Sequence, residues 1–250
     1  MSHEPARPKY QRIADDLRAS IDRGEYQPGD RLPGENSLAA DFGVAPLTVR
    51  QALGLLRAEG LVDSRKGSGV FVQSFRPIRR RGIHRLRRDG WGSGQTIWSA
   101  DDDRSPDVDQ INVHEDVAPP EHIARVLGLA DEETSCVRGR RYSMDGRPVM
   151  LATSYLPQTL VAGSPITQAE TGPGGIYARL ADLGHEPVRF REEIRSRMPT
   201  GEEAARLSIP ADRTVLKLVR TAFDAEGRVV EINDMTLDSA AYVLDYEFDA

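Results

Sequence analysis

The chain has 250 residues, 39% hydrophobic and 29% charged; that is enough apolar material for real cores, too much for general disorder, and a length that favours two domains. No apolar run approaches the ~20 residues that span a bilayer. The N-terminal MSHEPARPKY lacks the apolar segment of a signal peptide, and a single cysteine, Cys136, excludes an internal disulfide framework, so a cytoplasmic protein is expected.

The formal net charge of −6 hides an asymmetry: residues 1–88 carry +7 and residues 89–250 carry −13. Only the first third is suited to meet a polyanion. Within it, Tyr10, Ile13, Leu17 and Ile21 recur at steps of three and four and predict a helix from Pro8 to Arg23. Gly24 ends it, and Gln27-Pro28-Gly29-Asp30 reads as a turn. A short second helix follows Leu32-Pro33, with Leu38 and Phe42 facing inward and Gly43 at its end. A third runs from about Pro46 to Glu59, burying Val49, Ala52, Leu53 and Leu56 and exposing Thr48, Arg50, Gln51 and Arg57. Two short strands, Leu61–Ser64 and Val70–Val72, then flank a turn that carries Arg65, Lys66, Gly67, Ser68 and Gly69.

Three helices, a tight turn before the third and a closing hairpin describe a winged helix-turn-helix. Its third helix presents side chains that can reach base edges and phosphates in the major groove. Its hairpin tip pairs two cations with residues small enough for close approach to a duplex. The arginine-rich stretch RPIRRRGIHRLRRDGWG (residues 76–92) reads as an interdomain linker whose cations either contact phosphate or keep an exposed segment soluble.

Beyond it the pattern is mixed. Strands are expected at Gln110–Val113, Cys136–Ser143, Val149–Leu156, Val188–Arg197, Thr214–Phe223 and Val229–Thr236, with hairpin turns at Met144–Arg147 and Asp224–Gly227. Helices are expected at Glu121–Leu127, Gly175–Leu183 and Gly201–Leu207, the last behind a capping box begun by Thr200. Long hairpins with few helices between them argue for an antiparallel sheet, and the chain as a whole for an α+β protein. The proposed division is residues 1–73, a 74–92 linker, and 93–250.

The run from Pro8 to Val72, above all YQRIADDLRASI, PGDRLP, TVRQAL with EGLV, and GSGVFV, resembles the DNA-binding domain of GntR-type regulators. That resemblance implies DNA contacts at Glu35, Thr48, Arg50, Lys66 and Gly67, in a set completed by Lys9, Asn36, Pro46, Gln51, Arg65 and Ser68. Two departures stand out. Gly34-Glu35-Asn36-Ser37 replaces a Ser-led capping box, with Asn36 where the family has an arginine, and Ala45-Pro46 replaces Ser-Arg. Asn36 can read adenine, and Pro46 at the first helical position partly offsets a lost cap of about 1 kcal/mol. A shifted operator preference is therefore expected.

The remainder resembles the UTRA effector-sensing domain of the HutC-like branch, whose fold is similar to chorismate lyase. RRYSMDGRPVMLATSYLP, IYARLADLG and EEIRSRMPTGEEAARLSIPADRTVLKLVRTAFDAEGRVVEI carry the likeness. It implies a small, often phosphorylated or carboxylated ligand beside Val137–Ser143, with Arg138 and Arg140 as an anion clamp. Glu231 meets ligand hydroxyl or amino groups, Tyr242 lies near the same cleft, and Thr96, Trp98 and Thr153 complete the set. Which arginine faces the cleft stays open, because Arg141 adjoins them and a one-residue slip reverses the faces. Ala152 stands where sugar-phosphate-binding relatives often have Glu, which argues against a glucosamine-phosphate-like ligand.

The resemblances imply a homodimeric repressor on a near-palindromic operator in double-stranded DNA, controlled by a small-molecule effector, with no membrane partner. The five histidines show no metal-ligand spacing, and neither cofactor nor metal is expected. Two other readings remain: an enzyme on the lyase-like domain, for which no nucleophile–base pairing is legible, and a nonspecific architectural DNA binder. The segment Thr171–Gly175 precedes a helix but lacks the Lys-Ser/Thr of a P-loop, so a flexible loop is the expected reading.

Overall fold

The computed structural model describes residues 8–65, 67–73, 77–82, 84–91 and 106–247. The chain divides into two compact units, Met1–Pro77 and Ile78–Ala250.

The first unit contains α1 (Lys9–Asp22), α2 (Glu35–Phe42), α3 (Pro46–Ala58), β1 (Val62–Arg65) and β2 (Gly69–Val72). The periodic residues do what their spacing requires: Ile13, Leu17, Leu38, Val49, Ala52, Leu53 and Leu56 form one buried cluster, with Tyr10, Ile21 and Phe42 packed against it. Neither α2 nor α3 has a side-chain N-cap; α3 starts on Pro46, whose missing N–H is no loss there. Gly43, at φ +60°, closes α2 in the left-handed conformation and turns the chain sharply into α3. β1 and β2 pair antiparallel from Val62↔Val72 to Arg65↔Gly69 and form the wing. Arg18 of α1 donates to both carboxylate oxygens of Glu59 at 2.7–3.0 Å, tying the first helix to the end of the third.

The second unit runs β3 (Ile78–Arg81), α4 (Arg88–Trp91), β4 (Asp107–Val117), α5 (Glu121–Leu127), β5 (Ser135–Met144), β6 (Arg147–Pro157), α6 (Gln158–Val161), α7 (Gly175–Asp182), β7 (Arg189–Arg197), α8 (Gly201–Leu207), β8 (Val215–Phe223), β9 (Val229–Asp238) and β10 (Tyr242–Asp245). Six strands form an antiparallel sheet in the order β4-β5-β6-β9-β8-β7. Asp145 and Gly146, at φ 53° and 75°, make the tight primed turn that joins β5 to β6. Thr200 and Glu203 complete the capping box of α8. Cys136, Leu156, Leu180 and Ala222 pack one core with α6 and α7, while Leu151, Leu207 and Val215 pack another with α8.

The arginine-rich stretch differs from the expected linker. From Ile78 it is a strand, paired in parallel with β10 from Ile78↔Tyr242 to Arg81↔Asp245. Ile78 and Arg80 are 0% and 1% exposed while Arg79 and Arg81 face solvent. The sequence hides this because Arg80 is neutralised from far along the chain: it donates to both oxygens of Glu192. Such a pair is tolerated only when its donors and acceptors are met, and Tyr246 adds a third bond at 3.1 Å. Gly82 is needed beside it, since a Cβ there would stand 2.2 Å from the Tyr246 ring.

Candidate DNA-binding face and ligand cavity

On α3 the exposed side chains are Pro46, Leu47, Arg50, Gln51 and Ala58, with Thr48 half-buried above the core residue Val49, and Arg57 half-buried where exposure was expected. Arg50 donates through Nε and Nη2 to Glu35 of α2 at 2.8–3.3 Å. That bond holds the Glu35 carboxyl below its ordinary range. The pair is solvated, so it orients Arg50 without consuming it. Asn36 and Lys9 are exposed on α2 and α1. In the wing, the Arg65 guanidinium lies 4.4 Å from the Phe71 ring centroid, Gly67 takes φ +76°, and Ser68 is exposed. Lys66 lies outside the described residues. Leu47, 63% exposed, escaped the sequence reading because a lone leucine beside a helix start carries no pattern; its methyls suit thymine.

The second unit holds a cavity of about 360 Å³. Its floor is the sheet face of β4, β5, β6, β9 and β8, and its cover is the Ala169–Gly175 segment with the first turn of α7. Alternation along β5 places Arg138, Arg140 and Tyr142 in the lining. Arg141 faces the other way and binds Asp109 at 2.8 Å, which settles the strand-face question in favour of the even-numbered arginines.

These two arginines are not equivalent. Arg138 is 1% exposed, and its terminal nitrogens donate to the carbonyls of Ile166, Gln168 and Ala169, stapling the cavity's cover to β5. Burial, then the like charge of Arg140, pushes its pKa down to about 10. Arg140 is half-buried, and its Nε has no partner among the described residues.

Glu231, 1% exposed, accepts from Ser154 Oγ at 2.7 Å and from Tyr177 Oη at 2.8 Å. Burial raises the Tyr177 pKa well above its ordinary value, so the phenol stays a donor. The cavity thus presents cations, a fixed carboxylate and a helix start in one enclosure, a combination that can hold an anion and orient a hydroxyl or amine. The glycine-rich segment expected to be a flexible loop is part of that wall: Gly172, Gly174 and Gly175 line it at φ 65–78°.

Of the remaining expected residues, Thr153 adjoins the lining residue Ser154 but does not itself line the cavity. Tyr242 is buried in β10 opposite Ile78 and is not among the lining residues either. Thr96 and Trp98 lie outside the described residues. The reading missed Ser154, Tyr177, Arg220 and Asn233. One signal was available: Arg220 is a lone arginine in the apolar run VLKLVRTAF, where a buried charge is costly unless it is used.

A winged helix joined to a cavity-bearing antiparallel sheet is the architecture of a two-domain transcription regulator. Residues 9–72 match the gntR family of bacterial regulatory proteins, and residues 105–242 match the UTRA domain. The chain is 30% identical to the HTH-type transcriptional regulator SCO4628 of Streptomyces coelicolor, over 98% of this chain and 94% of that protein. It is 27% identical to the mannosyl-D-glycerate transport/metabolism system repressor MngR of Escherichia coli, over 97% and 95% of the two chains. A solved structure of a GntR-family transcriptional regulator, 27% identical, covers 98% of each chain with a TM-score of 0.64. The chain belongs to the GntR family, in its HutC-like branch, with an N-terminal helix-turn-helix and a C-terminal UTRA domain. Among the described residues no helix is long and apolar enough to cross a membrane.

Proposed function

We infer that this regulator is a homodimeric repressor that releases a near-palindromic operator when a small anionic metabolite fills the UTRA cavity. The observation that carries the reading is the cavity, where Arg140, the first turn of α7 and the Glu231 carboxylate line one space. On the DNA side, α3 enters the major groove with Arg50 and Gln51 at base edges, Thr48 and Lys9 at phosphates, and Leu47 against a thymine methyl. Glu35 orients Arg50, Asn36 reads an adjacent base, and Arg65, Lys66, Gly67 and Ser68 at the wing tip follow the backbone. Pro46 begins the helix that does the reading.

Two half-sites bound by two copies must match the dimer's spacing. The metabolite acts through the segment that joins the two units, so a small change there weakens DNA binding without altering any base contact. The MngR name supports the sign of regulation assigned here. The test is a DNA-shift titration of the full chain against operator fragments recovered by genome-wide binding, with random DNA as competitor at moderate salt. A preference for recovered fragments that is abolished by a phosphorylated or carboxylated metabolite is the expected result. No preference over random DNA would sink the reading.

A further inference from the structure

The end of the cavity floor farthest from β5 holds a cation with two donor nitrogens that meet no acceptor among the described residues. Arg220 on β8 is 2% exposed, yet its Nε and Nη1 have no hydrogen-bond partner among the described residues. The carboxylate beside it across the strand pair, Glu192, is already bonded through both oxygens to Arg80 and through one to Tyr246. Glu231 is likewise held by Ser154 and Tyr177. What the protein offers Arg220 is the ring face of Tyr177, 5.3 Å from its Cζ, which favours the charge but accepts at neither nitrogen. A buried guanidinium starved of acceptors is an expensive feature, and it is retained where a ligand supplies them.

Strand register says where those acceptors must lie. Arg138, Ser154, Asn233 and Arg220 pair successively across β5, β6, β9 and β8, so they form one transverse row. Three strand spacings separate its ends, about 14 Å between backbones. Arg140 stands two residues along β5 on the same face. Between the ends of that row lies Asn233 Oδ1, which is buried without a partner among the described residues, and the Glu231 carboxylate stands two residues along β9 from it, on the side away from Arg140.

We propose that Arg220 forms a second anion subsite, and that the ligand is a small molecule with two separate anionic groups lying across the sheet. One anionic group sits at Arg140, a carboxylate or phosphate sits at Arg220, and the ligand's hydroxyl or ammonium donors face Asn233 between them and Glu231 beside it. Phosphorylated sugar acids have this pattern, whereas the matching sugar phosphates lack the second anionic group. The proposal rests on the reading of this cavity as the effector site.

The test has two arms, both on the full chain. In the first, without ligand, Arg220→Met removes the charge and keeps the length. The expected result is a Tm about 2–4 °C higher than that of the parent, because two buried donors without acceptors are gone. A fall like that of Arg80→Met would make Arg220 a structural residue and overturn the proposal. In the second, calorimetry compares three- to six-carbon phosphorylated sugar acids, 6-phosphogluconate among them, with their matched sugar phosphates. The best acid is expected to bind roughly 10- to 100-fold tighter than its sugar phosphate, a preference that Arg220→Met erases while Arg140→Gln weakens both. Equal binding of the pair, a preference that survives Arg220→Met, or no binding by any acid overturns the second subsite. Binding indifferent to Arg140→Gln would instead remove the effector-site reading on which it rests.

Discussion

The two units place their charges in opposite ways. Among the described residues of the first unit, every fully buried side chain is apolar, and Arg50, Gln51 and Arg65 stand in solvent. The second unit buries Arg80, Arg138, Arg220, Asp224, Glu231 and Asp238 at 4% exposure or less. The difference follows from what each must recognise. A duplex is a large external polyanion approached from outside, so its readers need reach and solvation, and the helices beneath need only an apolar core. A metabolite is enclosed, so its readers must be desolvated, and each buried charge then needs a specific partner in protein or ligand. Tolerance to mutation should divide along the same line.

The largest effect is expected in the second unit. Arg80→Met leaves the buried Glu192 without its hydrogen-bonded cation and should cost about 3–5 kcal/mol of unfolding free energy, read by denaturant titration of the full chain. A loss under about 1 kcal/mol would break the comparison, because buried pairing would then not be what sustains this unit. In the first unit the sensitive change is apolar. Leu53→Ala should cost about 2–4 kcal/mol through the cavity it leaves, removing operator binding while the second unit's transition is unmoved. A single shared transition in calorimetry would show that the two units do not unfold separately.

Next comes Arg50→Gln, which removes an exposed group and should leave stability nearly unchanged. Operator affinity should fall by roughly 10- to 100-fold, with a smaller loss on random DNA. An equal loss on both would move Arg50 from base reading to phosphate contact. The smallest effect concerns pH. Glu203, held by Arg197, the Thr200 N–H and Thr236, has its pKa lowered to about 2. A carboxylate depressed on folding contributes stability that is full above its unfolded pKa of about 4.5 and is lost as pH falls from there toward 2. Glu203→Gln should flatten that window by about 1–2 kcal/mol, visible as a weaker acid dependence of Tm. An unchanged acid limb would leave Glu203 without an electrostatic role.

Much of the architecture was legible in the sequence, because the signals were local. The steps of three and four in α1 and α3, Gly43, the Asp145-Gly146 turn and the Thr200 capping box each act within a few residues, and the structure has a helix end or hairpin at each of them. Alternation likewise put Arg138 and Arg140 on one face once the register was known. What sequence could not supply was which strands are neighbours. The parallel pairing of β3 with β10 joins residues some 164 apart and turns a run of arginines from linker into strand. Pairing across β5, β6, β9 and β8 alone brings Arg220 into the cavity, and only the fold of the 165–169 segment engages Arg138 with three carbonyls.

The sequence by itself therefore determined that this protein is a GntR-type regulator with a winged helix and a sensing sheet. Helix periodicity, caps and turns are short-range and survive in any window of a dozen residues. Tertiary structure decided how each arginine is used. A guanidinium's role depends on whether a carboxylate, a carbonyl or an empty volume faces it, and those neighbours are fixed by strand order and burial, not by spacing along the chain.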